Sequence, residues 1–148
     1  MDAPALTAES VNVRYIESSG LVAALLEHDA AAVRSVRTRG RQVTSALTIA
    51  EAARAILRAR AGARLTADEE RAAVRALRRF ERRSFVVAVT DAVLARVRRP
   101  FPVEPIRTLD AVHLATAELL GEPPQLVTIV TRDARVRDNA EALGYAVE

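Results

Sequence analysis

The chain has 148 residues, half of them hydrophobic and 28% charged, with no cysteine and only two histidines, His28 and His113. This fits one folded domain and excludes a disordered chain, thiol chemistry and a cysteine- or polyhistidine-ligated metal, so any metal is held mainly by oxygen, as Mg²⁺ or Mn²⁺ would be. All 22 basic residues are arginine against 19 acids, a net charge of +3, which excludes lysine Schiff-base and phosphate-loop lysine chemistry and makes the placement of charge more informative than its sum.

Residues 1–10 show no hydrophobic period and read as a loose tail, while 11–148 read as one domain without repeats or a linker. Val11, Val13 and Tyr15 alternate with Asn12 and Arg14, which predicts a strand ending near Glu17. Ser18-Ser19-Gly20 reads as a turn with capping character, followed by helices over 21–27 and 29–38 with His28 at the break. Gln42-Val43-Thr44 predicts a short strand, Ser45 a cap, and 46–61 a helix that Gly62 stops. Thr66 and Glu69 match a capping box opening a helix to about Arg83. Residues 84–89 read as a β-branched strand, and Thr90 caps a helix to Arg99. Pro100, Pro102 and Pro105 mark an extended loop, after which Thr108 is the expected cap of a helix over 109–120. Residues 126–130 form a continuous apolar strand of the buried parallel type, 134–143 a helix ended by Gly144, and 145–147 a last short strand. Strands alternating with helices predict an α/β fold whose parallel sheet lies between helix layers. No signal peptide is visible, and the apolar runs are far shorter than the ~18 residues of a membrane span. The expected location is the cytoplasm.

In an open α/β sheet, ligands bind beyond the carboxyl ends of the strands. Four acids fall there: Glu17 ending the first strand, Glu51 early in the helix after the second, Asp110 in the first turn after the proline loop, and Asp133 just after the fourth strand. Acids near helix starts are also favoured by the helix dipole, by ~0.3–1 kcal/mol. That explanation covers Asp68, Glu69 and Glu70, but not an acid that ends a strand (Glu17) or one set among alanines (Glu51). If such acids converge, each like pair at 4 Å costs ~4 kcal/mol at an effective dielectric of ~20, so the cluster needs a cation. An all-oxygen site suits Mg²⁺ or Mn²⁺ and supports phosphodiester hydrolysis by a metal-activated water.

At these residues the chain resembles the PIN-domain family, in particular the toxin ribonucleases of VapBC-type toxin–antitoxin pairs. Y-I-E-S-S-G-L at 15–21 is similar to the family's strand running into D-T-S-A-L, and S-A-L-T-I-A-E at 45–51 to its S-x-x-x-x-E helix. I-R-T-L-D-A-V-H-L-A-T-A at 106–117 resembles L-R-x-x-D-A-x-H-L-A-x-A, and V-T-I-V-T-R-D leading to G-Y-A-V over 127–147 resembles the closing motif. The likeness spans about 11–148 and departs from the pattern at Glu17, where the family usually has Asp, and at Gly20, where it usually has Ala. It implies a three-layer α/β/α PIN-like fold with a central, mainly parallel sheet of four to five strands. It further implies an Mg²⁺- or Mn²⁺-dependent endoribonuclease with Glu17, Glu51, Asp110 and Asp133 as its catalytic acids. Of these, Glu17, Asp110 and Asp133 would ligate the metal. The implied partners are RNA, a cognate antitoxin and a second copy in a homodimer. A PIN-like RNA- or protein-binding module with a weakened site is the alternative, kept open by Glu17.

Ser18, Ser19 and Thr131 are expected to orient the first carboxylate, although simple helix capping also explains the serines. His113, one helical turn from Asp110, reads either as a satisfied histidine or as a group that touches substrate or orients an acid. Arg132, beside Asp133, is expected to meet a scissile phosphate. Arg71, Arg75, Arg78, Arg79 and Arg82 form a helical stripe, read as a solvated face or a track for an acidic partner or RNA backbone.

Overall fold

The computed structural model describes residues 12–148; the expected tail at 1–10 lies outside them. The elements are β1 (Val13–Ile16), α1 (Ser18–Leu25), α2 (Ala30–Arg37), β2 (Arg41–Ser45), α3 (Ala46–Ala61), α4 (Ala67–Arg83), β3 (Phe85–Val87), α5 (Asp91–Val97), α6 (Thr108–Glu118), a 3₁₀ turn (Pro124–Leu126), β4 (Val127–Val130), α7 (Ala134–Ala142) and β5 (Ala146–Val147). Five strands form one sheet in the order β3-β2-β1-β4-β5, every pair parallel. This is the expected α/β class.

Alternation along the strands sends side chains to two cores. Val13, Tyr15, Val43, Val127 and Ile129 pack against Val93 of α5, Val112 and Ala115 of α6, and Val136 and Ala140 of α7. Ile16 and Val130 face the other way, onto Leu21 of α1, Val36 of α2, Ile56 of α3, and Leu77 and Phe80 of α4. Each large apolar side chain so buried contributes on the order of 1.5–3 kcal/mol. The first turn of α1 presses onto the end of β4: a Cβ added at Gly20 would lie 2.9 Å from the Val130 carbonyl oxygen. Gly20 therefore seats this helix closer to the sheet than an alanine could.

Several expected boundaries move. The strand expected over 84–89 shrinks to Phe85–Val87 at the sheet edge, where Phe85 is exposed. Thr108 is the first residue of α6 instead of its cap; Arg107 holds the cap position without a side-chain capping bond. Ser18-Ser19-Gly20 is the first turn of α1, and the capping side chain belongs to Glu17. The proline loop before α6 is tied down by its own residues and by α7. Glu104 accepts from the backbone N–H of Phe101 (2.9 Å) and Ile106 (3.0 Å). Asn139, fully buried on α7, accepts from Val103 N–H (2.9 Å) and donates to the Val103 carbonyl (2.8 Å).

One charge lies under the α1–α2 layer. Arg14 is 4% exposed; its guanidinium donates to both Glu148 carboxylate oxygens (3.1 and 2.6 Å) and to the Ser35 carbonyl (3.1 Å). A buried cation left without its partner costs ~3–5 kcal/mol, less here because the Glu148 side chain is 47% exposed. The hydrogen bond from Arg14 outweighs burial and holds the Glu148 carboxyl below its ordinary value. A depressed carboxyl adds stability above its unfolded value and loses it as pH falls through the folded one. Glu148→Gln is expected to lower unfolding free energy by about 1–2 kcal/mol at pH 7 in urea melts. The gap between it and the parent chain should close below about pH 4.5. A gap unchanged down to pH 3 would show that the pair carries no such stability.

Candidate active site

β1 is the central strand; the chain leaves it toward β2, and β4 returns on its other side. The loops after β1 and β4 therefore diverge, which opens a crevice at their carboxyl ends. Glu17 stands at the end of β1, its N–H bonded to Val130 O (3.0 Å), and Thr131–Asp133 leave the end of β4. The amino ends of α1, α6 and α7 meet the same edge, and their free N–H groups favour anions there.

Glu17 is buried and its carboxylate is saturated on one side. Oε2 accepts from Ser19 N–H (3.1 Å), from the Ser19 hydroxyl and from the Thr131 hydroxyl (2.7 Å). Oε1 accepts from Ser18 Oγ (2.7 Å). Glu17 is thus the N-cap of α1, so the helix-start explanation set aside from the sequence does apply to it. Ser18 Oγ also lies 3.1 Å from Glu51 Oε1, which links the two glutamates through one hydroxyl.

Glu51 is one turn into α3 and half-buried. Its Oε1 pairs with His113 Nε2 at 2.7 Å. A carboxylate only accepts, so Nε2 carries a proton, while Nδ1 meets the Tyr15 hydroxyl at 2.9 Å. Burial opposes ionisation of Glu51, but the His113 hydrogen bond and charge, Ser18 and the nearby Arg107 charge together hold its carboxyl below the ordinary value. Tyr15 is fully buried, and desolvation plus the Glu17 charge drive its hydroxyl far upward, so it serves as a neutral donor. Ser18 Oγ is 3.4 Å from His113 Nε2. Both groups direct their protons at carboxylates, so they are not arranged as nucleophile and base.

Asp133 caps α7, its Oδ1 accepting from Arg135 N–H (2.8 Å) and Val136 N–H (3.4 Å), while its own N–H donates to Thr131 Oγ1 (3.1 Å). Asp110 is 6% exposed in the first turn of α6. Arg107 spans the two: Nε donates to Asp110 Oδ2 (3.1 Å) and Nη2 to Asp133 Oδ2 (2.9 Å). The hydrogen bond and charge of Asp110, then the charge of Asp133, raise the guanidinium above its ordinary value.

The four acids form one connected circuit, Glu51–Ser18–Glu17–Thr131–Asp133–Arg107–Asp110. No three of the described His, Asp or Glu side chains close on one point as a ready-made ion cage. The donor chemistry still suits a hard divalent ion. The groups are carboxylates backed by hydroxyls, and among the described residues Glu51 Oε2 and Asp110 Oδ1 accept no hydrogen bond.

Ser18, Ser19, Thr131 and His113 all touch this circuit. Arg132 contributes its backbone N–H to Ser19 Oγ (2.8 Å), but its guanidinium turns away to Asp29 (3.3 Å). Tyr15 and Asn139 escaped the sequence reading, and Arg107 stood in the quoted third motif, three residues before Asp110, without being given a role. Asn139 could have been found as a lone amide between Val136 and Ala140. Tyr15 offered no signal beyond its place in a strand.

His113→Leu should free Glu51 and leave the Tyr15 hydroxyl without its imidazole partner. We expect a loss of about 2–3 kcal/mol in denaturant melts and, by NMR titration, a Glu51 carboxyl that titrates at higher pH than in the parent chain. A Glu51 titration that does not move would mean the imidazole leaves its charge state alone.

Comparison with known proteins identifies the family. The PIN domain family model matches residues 14–142. The chain is 39% identical over 141 residues to Ribonuclease VapC35 of Mycobacterium tuberculosis, covering 90% of this chain and 93% of that protein. It superposes on M. tuberculosis VapC20, described as a sarcin–ricin loop cleaving toxin, with a TM-score of 0.62 at 18% identity over 90% of this chain and 96% of the other. On a VapBC2 structure from Rickettsia felis, bound to a DNA fragment from its promoter, the TM-score is 0.61 at 11% identity over 92% and 97%. With the family model covering most of its length and the acids it carries gathered at one sheet edge, the chain belongs to the PIN domain family.

Proposed function

We propose that this protein is an endoribonuclease dependent on Mg²⁺ or Mn²⁺, acting in the cytoplasm as the toxin of a toxin–antitoxin pair. The observation that carries the reading is the single circuit that joins Glu51, Glu17, Asp133 and Asp110 at the crevice beside β1. The names ribonuclease and toxin borne by its relatives support it. Glu17 Oε1, Asp110 and Asp133 would hold the ion, which when bound supplies an acidified water and positive charge for the phosphodiester. Ser18, Ser19 and Thr131 lock the Glu17 carboxylate in one orientation. Glu51, kept ionised by His113, holds a water or receives its proton at Oε2. Glu17 has one methylene more than aspartate. Its carboxylate doubles back to cap α1, which brings it within reach of Thr131.

The antitoxin has a candidate seat apart from the acids. A groove of about 650 Å³ between α1, α2 and α4 has a floor of Leu21, Leu25, Val33 and Phe80 and a rim that includes Arg64 and Arg79. An amphipathic segment with acidic residues flanking its apolar face matches that lining. The arginine stripe of α4 is exposed, and Arg79 of that stripe lines this groove.

Purified protein should cleave RNA with Mn²⁺, and Asp110→Asn should lower the rate by about a hundredfold or more. Cleavage by Asp110→Asn at the parent rate would overturn the mechanism. Expression alone should arrest growth, and co-expressed antitoxin should relieve it. Arg64→Glu with Arg79→Glu should weaken antitoxin binding at least about tenfold in titration calorimetry.

A further inference from the structure

Among the described residues, Arg107 is the arginine that pairs with two of the acids at once. Its guanidinium contacts Asp110 and Asp133 with different nitrogens, at 3.1 and 2.9 Å. Its charge also reaches Glu51. The arginine is built for this place and is also free to leave it. It precedes α6 at the cap position, where its side chain makes no capping bond. The loop leading to it is pinned through Glu104 and Asn139, so its backbone stays fixed relative to α7. The Arg107 side chain is nevertheless 64% exposed, while Asp110 and Asp133 are only 9% and 20% exposed. Two mostly shielded acids paired with an exposed guanidinium suit an exchangeable counterion.

We propose that Arg107 is a tethered counterion that holds Asp110 and Asp133 together as a charged pair, and that a divalent ion binds by displacing it. This rests on the metal-dependent reading above and adds a competitor supplied by the chain itself. Each Arg107–carboxylate bond uses the Oδ2 atom of an acid the ion also requires. Both cations therefore draw on the same negative charge, and binding of one weakens binding of the other. A guanidinium released from these carboxylates would remain tethered at position 107, with its donors available to a phosphate.

Mn²⁺ titration calorimetry on the intact protein tests this, comparing the parent chain with Arg107→Gln, Arg107→Ala and Asp110→Asn. Arg107 is exposed, so its variants should fold, and thermal melts check that. Both Arg107 variants should bind Mn²⁺ about three- to tenfold more tightly than the parent, the factor that two exposed ion pairs supply. Without metal they should melt at lower temperature, and saturating Mn²⁺ should raise their melting temperature more than the parent's. Equal or weaker Mn²⁺ binding by both variants would overturn the counterion role while leaving the metal site standing. Should the parent bind no Mn²⁺, or bind it equally well as Asp110→Asn, the metal-dependent reading falls and the displacement with it.

Discussion

Carboxylates about 4 Å apart repel by ~4 kcal/mol at the dielectric of a partly desolvated crevice, and desolvation makes each harder to ionise. Glu17, Glu51, Asp110 and Asp133 nonetheless line one edge at the ends of β1 and β4, linked through Ser18, Thr131 and Arg107. The surrounding groups answer that cost one acid at a time. Glu17 is spread over three hydroxyls and a backbone N–H. Glu51 leans on an imidazole, Asp133 on the amino end of α7, and Asp110 on Arg107. Gathering charge at a partly desolvated edge costs free energy, which is why such clusters point to a functional site.

Rigid parts hold these groups. Ser19, in the first turn of α1, and Thr131, just after β4, lie 3.1 Å apart and both donate to Glu17 Oε2, which ties α1 to the end of β4. Gly20 allows that helix to sit against Val130. His113 is locked between Tyr15 and Glu51, so a core strand, α6 and α3 share one buried polar chain. Asn139 aligns the proline loop with α7 and thereby brings Arg107 to Asp133. Arg107 is an exposed side chain on the rim, whereas the acids belong to the frame.

The family resemblance bears on this chain through its motifs, and the structure shows the local chemistry those motifs produce here. With glutamate at position 17 the carboxylate reaches back to its own helix, and the same reach delivers Oε2 to Thr131. The side chain thus serves as cap and as candidate ligand at once, using different oxygens. Arg132, adjacent to an acid in sequence, points to Asp29, while Arg107, 26 residues from Asp133, bonds it.

Local pattern was enough to read the element order. The capping box at Thr66 and Glu69, the Ser45 and Thr90 caps and the apolar run of β4 depend on neighbours within a few residues; the caps appear as read, and β4 starts one residue later than expected, after Leu126 closes the 3₁₀ turn. The positions of the four acids after strands were legible for the same reason, since a parallel sheet sends every strand's carboxyl end to one edge. Strand order, and with it the crevice between β1 and β4, came only from tertiary packing, as did the direction of each side chain. Arg107 reaches its two acids because α6 and α7 lie side by side on one face of the sheet. Glu51 meets His113 across 62 residues because α3 and α6 converge at the crevice. Spacing along a chain constrains contacts one or two helical turns away, and beyond that range the packing of the two cores decides which charges meet.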